Sequence, residues 1–326
     1  MEHFRAEPQE CFLSSSDEMI PIFRLFECRN GIKLEYKYTR HLASGGEDIK
    51  SRPFQRTHVC VYSNEKRKVI VKLTPGSEYT ELETIYKIKD SFSYLIEDNV
   101  IVDAWVAYES KVKAKDEAYF PRHFNCIVME YGGKTLCGGK YNFSRDERVE
   151  HMISLAEKLM MLSSAGFCYM DIKSNNITID KGLTLRLIDY GGISPTGCRD
   201  SAATYPHYLT PSGVNLTAKE SNVVYGLGAL CLTYIFGYQE KPLRYNSNLG
   251  NQKSIQLEHA ASKEMLEYIK QTLDEEEDLH TKALLNNTLL HQTTLQHTKY
   301  MLRGLRQGGP AAPLKPPGGF APKPPT

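Results

Sequence analysis

The sequence lacks close cysteine pairs, a large net charge of either sign and a hydrophobic run long enough to cross a bilayer. Its eight cysteines are scattered over 326 residues, without the short spacings typical of metal sites or small disulfide frameworks. The first ten residues, MEHFRAEPQE, contain no apolar core of the kind found in secretory signals. We therefore expect a reduced intracellular protein, cytoplasmic or nuclear.

The balance of charge argues against a polyanionic partner. Forty lysines and arginines face thirty-nine aspartates and glutamates, so the formal net charge is only +1. This balance provides no electrostatic basis for binding nucleic acid or an anionic membrane surface. The most apolar segment, 223–238, is shorter than the roughly 20 residues that a membrane-spanning helix needs, and polar sequence flanks it. We interpret it as a buried helix.

The two ends of the chain differ from its middle. Residues 1–31 show no clear hydrophobic period, and we treat them as an N-terminal extension. Residues 304–326 are rich in proline and glycine, which predicts a disordered or extended tail. Within it, PAAPLK at 310–315 matches a PxxPx(basic) pattern that could dock into an aromatic groove of a partner domain. Such patterns also occur by chance in proline-rich tails.

The segment 32–131 is predicted to be mostly strands. Its β-branched and aromatic residues alternate or run continuously in five stretches: IKLEYKYT, HVCVYS, KVIVKL, VIVDAWVAY and FNCIVMEY. One helix is predicted over 78–88, where Leu82, Ile85 and Ile88 recur at helical spacing.

The second part of the chain spans residues 132–303, and helices are predicted to dominate in it from residue 144 onward. Ser144 and Glu147 form a potential capping box at the start of an apolar stripe, which predicts a helix over 145–164 that ends at Gly166. Further helices are suggested near 219–236, 258–273 and 278–303, with short strand-like runs at 177–179 and 183–188. The fold class is thus α+β, with a small strand-rich part followed by a larger helical part.

Three polar residues suggest chemistry in the stretch YMDIKSNNITIDKGLTLRLIDYGG. Asp171 and Asn176 lie on a loop after the predicted helix, and Asp189 follows a strand-like run. Carboxylate and carboxamide oxygens are the hard ligands that Mg²⁺ prefers. Taken alone, each of these residues is more often a cap or turn residue. Together they indicate a phosphoryl-transfer site.

Lys72 is the candidate cation for an anionic substrate. It closes the apolar strand KVIVKL, and a buried ammonium at that position is costly unless an anion meets it. Glu81 shares a helix face with Ile85, and Glu78 lies one turn earlier. Either glutamate could be the partner of Lys72.

These segments, in order, resemble a eukaryotic-type protein kinase. VIVK, the glutamate-bearing helix, IVMEYGG, DIKSNN and IDYGG are similar to VAIK, the helix glutamate, the hinge, HRDxKxxN and DFG. The resemblance covers roughly residues 35 to 303. It implies a bilobal fold with a small β-rich lobe containing one key helix and a larger helical lobe.

The resemblance also implies a role for each matched residue. Asp171 would orient or deprotonate the attacking hydroxyl, and Lys173 would neutralise charge on the phosphoryl group; Asn176 and Asp189 would hold Mg²⁺. ATP would be bound through residues of the small lobe and the hinge, namely Lys72 with Glu81, the backbone of Glu130 and Tyr131, and Met129 behind the adenine. A lysine two residues after the aspartate resembles the serine/threonine-specific pattern.

Several positions depart from the family pattern. The GxGxxG loop is replaced by a segment that contains only the adjacent Gly45 and Gly46, which could approach phosphate or simply form a turn. Tyr169-Met170 stands in place of His-Arg, so control through a phosphorylated activation segment is not expected. Val223 occupies the position of a bracing aspartate. These losses are similar to those of divergent kinases of large DNA viruses, including herpesvirus-type ones, which would place the protein in a host cell.

Three functions follow as hypotheses. The first is a serine/threonine protein kinase that uses ATP and Mg²⁺ and acts on a protein substrate. The second is a pseudokinase that serves as a binding scaffold, which the irregular glycine loop favours. The third is a small-molecule phosphotransferase of the aminoglycoside or choline kinase type, which also uses D-x4-N with a later aspartate.

Overall fold

The computed structural model describes most of the chain, in nine segments: residues 3–15, 18–45, 57–75, 79–110, 124–137, 141–198, 217–235, 279–289 and 293–307. The helix predicted at 258–273 lies outside these described residues, and so does the predicted tail (304–326) from residue 308 onward. Its first four residues, 304–307, belong instead to the last helix, so the predicted start of the tail at 304 is wrong. The described part has mixed helix and strand content, with one large sheet before residue 131 and most helices after residue 144.

Seven strands form the large sheet. They are β1 (His3–Ser15), β2 (Glu18–Arg29), β3 (Ile32–Gly45), β4 (Thr57–Ser63), β5 (Lys68–Pro75), β6 (Ala104–Tyr108) and β7 (Phe124–Glu130). Their order is β1-β2-β3-β4-β5-β7-β6, and every neighbouring pair is antiparallel. The five predicted stretches of strand between 32 and 131 all contribute to this sheet.

The first thirty residues form two of these strands, although their sequence shows no clear period. In β2, residues 21–23 and 25–27 are buried in succession, so both faces of the strand are covered and the alternation of polar and apolar residues is lost. The signal that does identify the hairpin is Asn30-Gly31, whose positive φ angles of 49° and 78° suit a two-residue turn. The boundary predicted at residue 31 therefore falls inside one continuous sheet.

The sheet curls so that its first and last strands approach each other. The ring of Phe4 in β1 lies 4.9 Å from that of Trp105 in β6, and the ring of Phe23 lies 5.5 Å from that of Tyr108. A hydrophobic cluster fills the interior, formed by Phe4, Ala6, Phe23, Leu25, Tyr36, Cys60, Tyr62, Val69, Val71, Leu73, Phe124, Cys126 and Val128. The N-terminal hairpin thus covers one face of the strands that follow it.

A buried polar group fastens this hairpin to the rest of the sheet. The Tyr36 hydroxyl donates to Glu27 Oε2 at 2.6 Å and accepts from Arg67 Nε at 2.6 Å. Arg67 Nη2 lies 2.8 Å from the same Glu27 oxygen, and the Glu27 side chain is only 4% exposed. Because a carboxylate at this depth loses its hydration, the arginine and the hydroxyl must replace it.

Replacing Arg67 with methionine is expected to destabilise the fold by about 3 kcal/mol, because Glu27 keeps its charge but loses its cation. Arg24→Met is the matched control. Arg24 lies over a phenylalanine ring and pairs with a glutamate, Glu35, but the side chains of Arg24 and Glu35 are each 48% exposed. The control should cost less than about 1 kcal/mol. Urea denaturation of the two variants measures the difference, and equal losses would contradict the proposed role of the buried pair.

Six helices are described. They are α1 (Tyr79–Ser91), α2 (Tyr94–Glu97), α3 (Arg145–Ser164), α4 (Glu220–Tyr234), α5 (Leu279–Leu289) and α6 (Leu295–Gln307). The predicted capping box of α3 is confirmed, since Ser144 Oγ accepts from the Glu147 amide while Glu147 Oε2 accepts from the Ser144 amide. The single helix predicted over 278–303 is wrong, because the structure has two helices there.

Helix α4 contains most of the apolar segment 223–238, and most of its described side chains are buried. Val223, Val224, Leu227 and Leu230 pack in the main hydrophobic cluster together with residues of α3. In the described parts of the chain, none of the helices has both the length and the apolar character needed to cross a membrane.

Five short strands frame the loops that carry the predicted chemistry. They are β8 (Lys134–Thr135), β9 (Phe167–Tyr169), β10 (Ile177–Ile179), β11 (Leu185–Leu187) and β12 (Ile193–Pro195). Strands β8, β10 and β11 form one small sheet, and β9 pairs with β12. The loop between β9 and β10 and the loop between β11 and β12 are thereby brought side by side.

Candidate active site

Asp171 lies at the centre of the loop between β9 and β10. Its Oδ2 accepts hydrogen bonds from Lys173 Nζ at 2.6 Å and from Asn176 Nδ2 at 2.8 Å. Asn176 Nδ2 also donates to the Asp171 carbonyl at 3.1 Å, so the loop closes on itself over a 3-10 turn at Ser174–Asn176. The other carboxylate oxygen, Asp171 Oδ1, is buried and has no hydrogen-bond partner among the described residues.

Lys72 joins two carboxylates from distant parts of the chain. Its Nζ lies 2.7 Å from Glu81 Oε1 on α1 and 2.8 Å from Asp189 Oδ1, which follows β11. Of the two candidate glutamates, Glu81 contacts Lys72, and Glu78 lies outside the described residues. The exposed fractions of the Lys72 and Glu81 side chains are 15% and 4%.

The amide of Gly191 completes this group. It lies 3.2 Å from both Glu81 Oε1 and Asp189 Oδ1, so one N–H is shared between two carboxylates. A Cβ atom at this position would lie 3.3 Å from Asp189 Oδ1 and 3.6 Å from Lys72 Nζ. Glycine therefore allows the backbone to approach both charged side chains closely.

The group around Asp171 and the group around Lys72 lie side by side. The Met170 amide donates to the Gly192 carbonyl at 2.7 Å, and the Ile188 amide donates to the Asn176 carbonyl at 3.2 Å. A Cβ atom on Gly192 would lie only 3.1 Å from Cβ of Asp171. Backbone contacts thus hold the two loops together, directly beside the three polar residues selected from the sequence.

The charges of Lys72, Glu81 and Asp189 stabilise one another. Burial alone would raise the pKa of the Asp189 carboxyl, but the Lys72 ammonium outweighs burial and lowers that pKa below its ordinary value of 3.8. Burial would likewise lower the pKa of Lys72, yet the charges of Asp189 and Glu81 raise it. Both groups are therefore ionised at neutral pH.

The predicted adenine-facing residues lie at the end of β7, next to the strand of Lys72. Met129 is buried and pairs with Ile70 of β5. The Glu130 amide donates to the Asp103 carbonyl at 2.9 Å, and the Glu130 carboxylate accepts from Arg186 Nη1 at 2.9 Å. Tyr131 is 37% exposed. The N–H of Glu130 is thus already used within the protein.

The predicted glycine pair lies only partly within the described residues. Gly45 is the last residue of β3, where it pairs with Thr57 of β4. Gly46 lies outside the described residues. The alternatives of a phosphate-binding loop and an ordinary turn both stay open.

Sequence reasoning missed two contributors to this site. The Gly191 amide is one, and the Gly-Gly pair after Tyr190 is the signal that could have indicated it. The other is the Tyr190 hydroxyl, which donates to the Val102 carbonyl at 2.8 Å. No local pattern connects residues that lie 88 positions apart in the chain.

A lysine held between a helix glutamate and a loop aspartate, beside an Asp/Asn pair, is the arrangement that the sequence predicts for a phosphoryl-transfer site. Residues 57–298 match the family model described as the protein kinase domain. The chain therefore belongs to the protein kinase family. This membership supports phosphotransfer by a kinase, and it implies ATP, a divalent metal and protein substrates in general. No curated protein matches the chain.

Proposed function

We propose that the protein is an active kinase that transfers the γ-phosphoryl group of ATP to serine or threonine hydroxyls of a protein substrate. One observation carries the proposal: Lys72, Glu81 and Asp189 form one contacting group, and the loop that carries Asp171 and Asn176 lies directly beside it, although four separate segments of the chain supply these residues. Independent structural roles would not require these five side chains to converge.

Asp171 is the proposed acceptor for the hydroxyl of the substrate. Its Oδ1 is buried without a partner among the described residues, so it has capacity for one further hydrogen bond. Lys173 and Asn176 hold the other oxygen and thereby fix the orientation of the carboxylate. A base that is fixed in this way loses little conformational entropy when it aligns with a hydroxyl.

Lys173 supports the serine/threonine assignment. Its ammonium lies 2.6 Å from Asp171, where it can also neutralise charge on a phosphoryl group that approaches the same carboxylate. Lys72, held by Glu81, is the proposed cation for the phosphates of ATP.

The residues fit a magnesium ion. Asp189 supplies an ionised carboxylate and Asn176 a carboxamide, and their loops touch through the hydrogen bond between Ile188 and Asn176. Mg²⁺ usually takes one or two protein oxygens and completes its shell with phosphate and water. When bound there, the ion would bridge and neutralise phosphate oxygens.

We also propose the two-lobed division that the family implies, with the start of the small lobe and the end of the large lobe changed from the sequence prediction. Strands β1 and β2 belong to the small lobe, because they share its sheet and its hydrophobic cluster. The small lobe then runs from residue 3 to about 131, and the large lobe continues to the end of α6. The viral lineage and the protein partner of the tail stay predictions.

A scaffold without catalysis is the second candidate. Met170 and Val223 are both buried in the hydrophobic cluster at positions where the resemblance leads us to expect arginine and aspartate. Two charged braces of the catalytic loop are thus replaced by packing. This observation favours a protein that keeps the shape and has lost the activity, which a direct assay distinguishes from the first candidate.

The test is incubation of the purified full chain with labelled ATP, Mg²⁺ and a generic basic protein. We expect label on the protein, phosphoserine or phosphothreonine after hydrolysis, and loss of transfer when Mg²⁺ is chelated. Transfer only to a small alcohol such as choline or an aminoglycoside would instead support a small-molecule phosphotransferase. Binding of ATP without transfer to any acceptor would support the scaffold.

A further inference from the structure

Tyr190 connects the metal-binding loop to a distant backbone segment. It directly follows Asp189, its side chain is completely buried, and its hydroxyl donates to the Val102 carbonyl at 2.8 Å. A buried hydroxyl with one well-formed partner holds its ring in a single orientation. Because Asp189 is its neighbour in the chain, the orientation of Tyr190 also restricts Asp189.

The acceptor of this hydrogen bond is itself well fixed. The Val102 amide donates to the Leu187 carbonyl at 2.9 Å, and the Leu187 amide donates to the Val100 carbonyl at 3.0 Å. These bonds pair the segment 99–104 with β11, the strand that leads into Asp189. Lys158 Nζ on α3 also donates to the Asn99 carbonyl, at 2.7 Å.

The same segment holds the helix that carries Glu81. Lys89, near the end of α1, donates to Asp103 Oδ1 at 2.5 Å and to the Ala104 carbonyl at 2.8 Å. The Lys89 ammonium also lies 4.4 Å from the centre of the Trp105 ring. The helix that carries Glu81 and the loop that carries Asp189 thus both contact residues 99–105, through Lys89 and Tyr190.

Met170 occupies the position at which the resemblance leads us to expect an arginine that pairs with a phosphorylated activation segment. Its side chain is buried in the main hydrophobic cluster, so it presents no cation to a phosphate on the following segment. An internal hydrogen bond requires no modification in order to form. Tyr190 is therefore suited to keep Asp189 in place in the unmodified protein.

We propose that Tyr190 is a positioning residue: its hydroxyl, bound to the Val102 carbonyl, keeps Asp189 within reach of Lys72 and the Gly191 amide without phosphorylation. The inference rests on the function proposed above, because it assigns Asp189 the task of holding the metal. Phenylalanine at this position would keep the packing of the ring and lose only the anchor.

The test is Tyr190→Phe in the full chain, with Tyr62→Phe as the matched control. Tyr62 is also buried, and its hydroxyl accepts one backbone hydrogen bond, from the Phe23 amide at 3.2 Å, but it lies in the other hydrophobic cluster. Amide hydrogen exchange without nucleotide should become about tenfold faster at residues 189–193 in Tyr190→Phe, since one buried hydrogen bond is worth about a factor of ten. The control should leave this segment unchanged.

A second readout is the magnesium dependence of transfer at fixed ATP. The Mg²⁺ concentration for half-maximal rate should rise several-fold in Tyr190→Phe and stay unchanged in Tyr62→Phe, because only the first variant loosens a metal ligand. Treatment of the wild type with a phosphatase should not alter its rate.

The outcomes separate this inference from the proposed function. If the wild type transfers phosphate to no acceptor, the proposed function fails, while the exchange measurement still tests the anchor. Unchanged exchange at 189–193 or an unchanged magnesium dependence in Tyr190→Phe would overturn the positioning role. Faster exchange over the whole of β1–β7 as well would also overturn it, because Tyr190 would then serve general stability.

Discussion

Asp171→Asn is expected to lower the rate of phosphoryl transfer about 10³-fold while ATP binding stays close to that of the wild type. The substitution preserves shape but replaces the carboxylate that would accept the proton of the hydroxyl, and general-base catalysis contributes roughly 10²- to 10⁴-fold. The Lys72–Glu81–Asp189 group is left intact, so the contacts proposed for the phosphates persist. Steady-state rates and calorimetric titration with ATP measure the two quantities.

Asp180→Asn is the matched control for this variant. Asp180 lies on the neighbouring turn, where its Oδ1 accepts from the Gly182 and Thr184 amides. Its Oδ2 lies 3.6 Å from Arg186 Nη2, and Asn at this position can still accept the two amide hydrogen bonds. The same loss of one charge should leave transfer within about twofold of the wild type. Equal rates for wild type and Asp171→Asn would remove Asp171 from the mechanism, whereas equal losses in both variants would point to a general effect of charge.

Lys72→Met is expected to abolish detectable transfer and to destabilise the fold by about 3–5 kcal/mol at pH 7. Without the ammonium, Glu81 and Asp189 face each other across one shared N–H with no cation between them. Removing one partner of a buried ion pair leaves uncompensated charge, which accounts for that magnitude. Urea denaturation measures the loss. Lys68→Met, on the exposed start of the same strand, should change stability by no more than about 0.5 kcal/mol.

The pH dependence of stability provides a second test of the Lys72–Glu81–Asp189 group. In the wild type, the lowered pKa of Asp189 means that its stabilising contribution is complete above pH 3.8 and is lost as pH falls through the still lower folded pKa. In Lys72→Met, only the Lys173 charge and the Gly191 amide still lower the pKa of the Asp189 carboxyl, and burial, the largest influence, raises it. The folded state therefore gains protons before the unfolded state does. The difference in the free energy of unfolding between the wild type and Lys72→Met should therefore become smaller as the pH is lowered from 7 to 5. A constant difference would show that packing, and not charge, explains the loss.

The candidate site could be found from the sequence because its parts are local. Lys72 ends an apolar strand, and Asp171 and Asn176 share one short loop. Their residue types and their spacing in the sequence are therefore sufficient to identify them as candidates. The start of α3 was predictable for the same reason, since a capping box spans only four residues. Contact between Lys72 and Glu81 needed three-dimensional information, because two glutamates one turn apart present similar faces.

The features that were missed depend on long-range contacts. Strand β2 is buried on both faces, which removes the period that identifies a half-exposed strand. The hydrogen bond from Tyr190 to Val102 joins two residues that are 88 positions apart, and no pattern in the sequence around either of them indicates the other. Within 278–303, continuous helical character hid the division into α5 and α6, because apolar spacing can persist across a break.

The curled sheet has a practical consequence for shortening the protein. The family match begins at residue 57, the first residue of β4, yet β1, β2 and β3 cover aromatic side chains that project from the strands after it. A fragment trimmed to the boundary of the family would expose Tyr62 and Phe124 to solvent and would offer the free edge of β4 to neighbouring molecules. The smallest fragment expected to fold by itself is therefore longer than the region that matches the family model, and fragments for crystallisation or screening should retain β1.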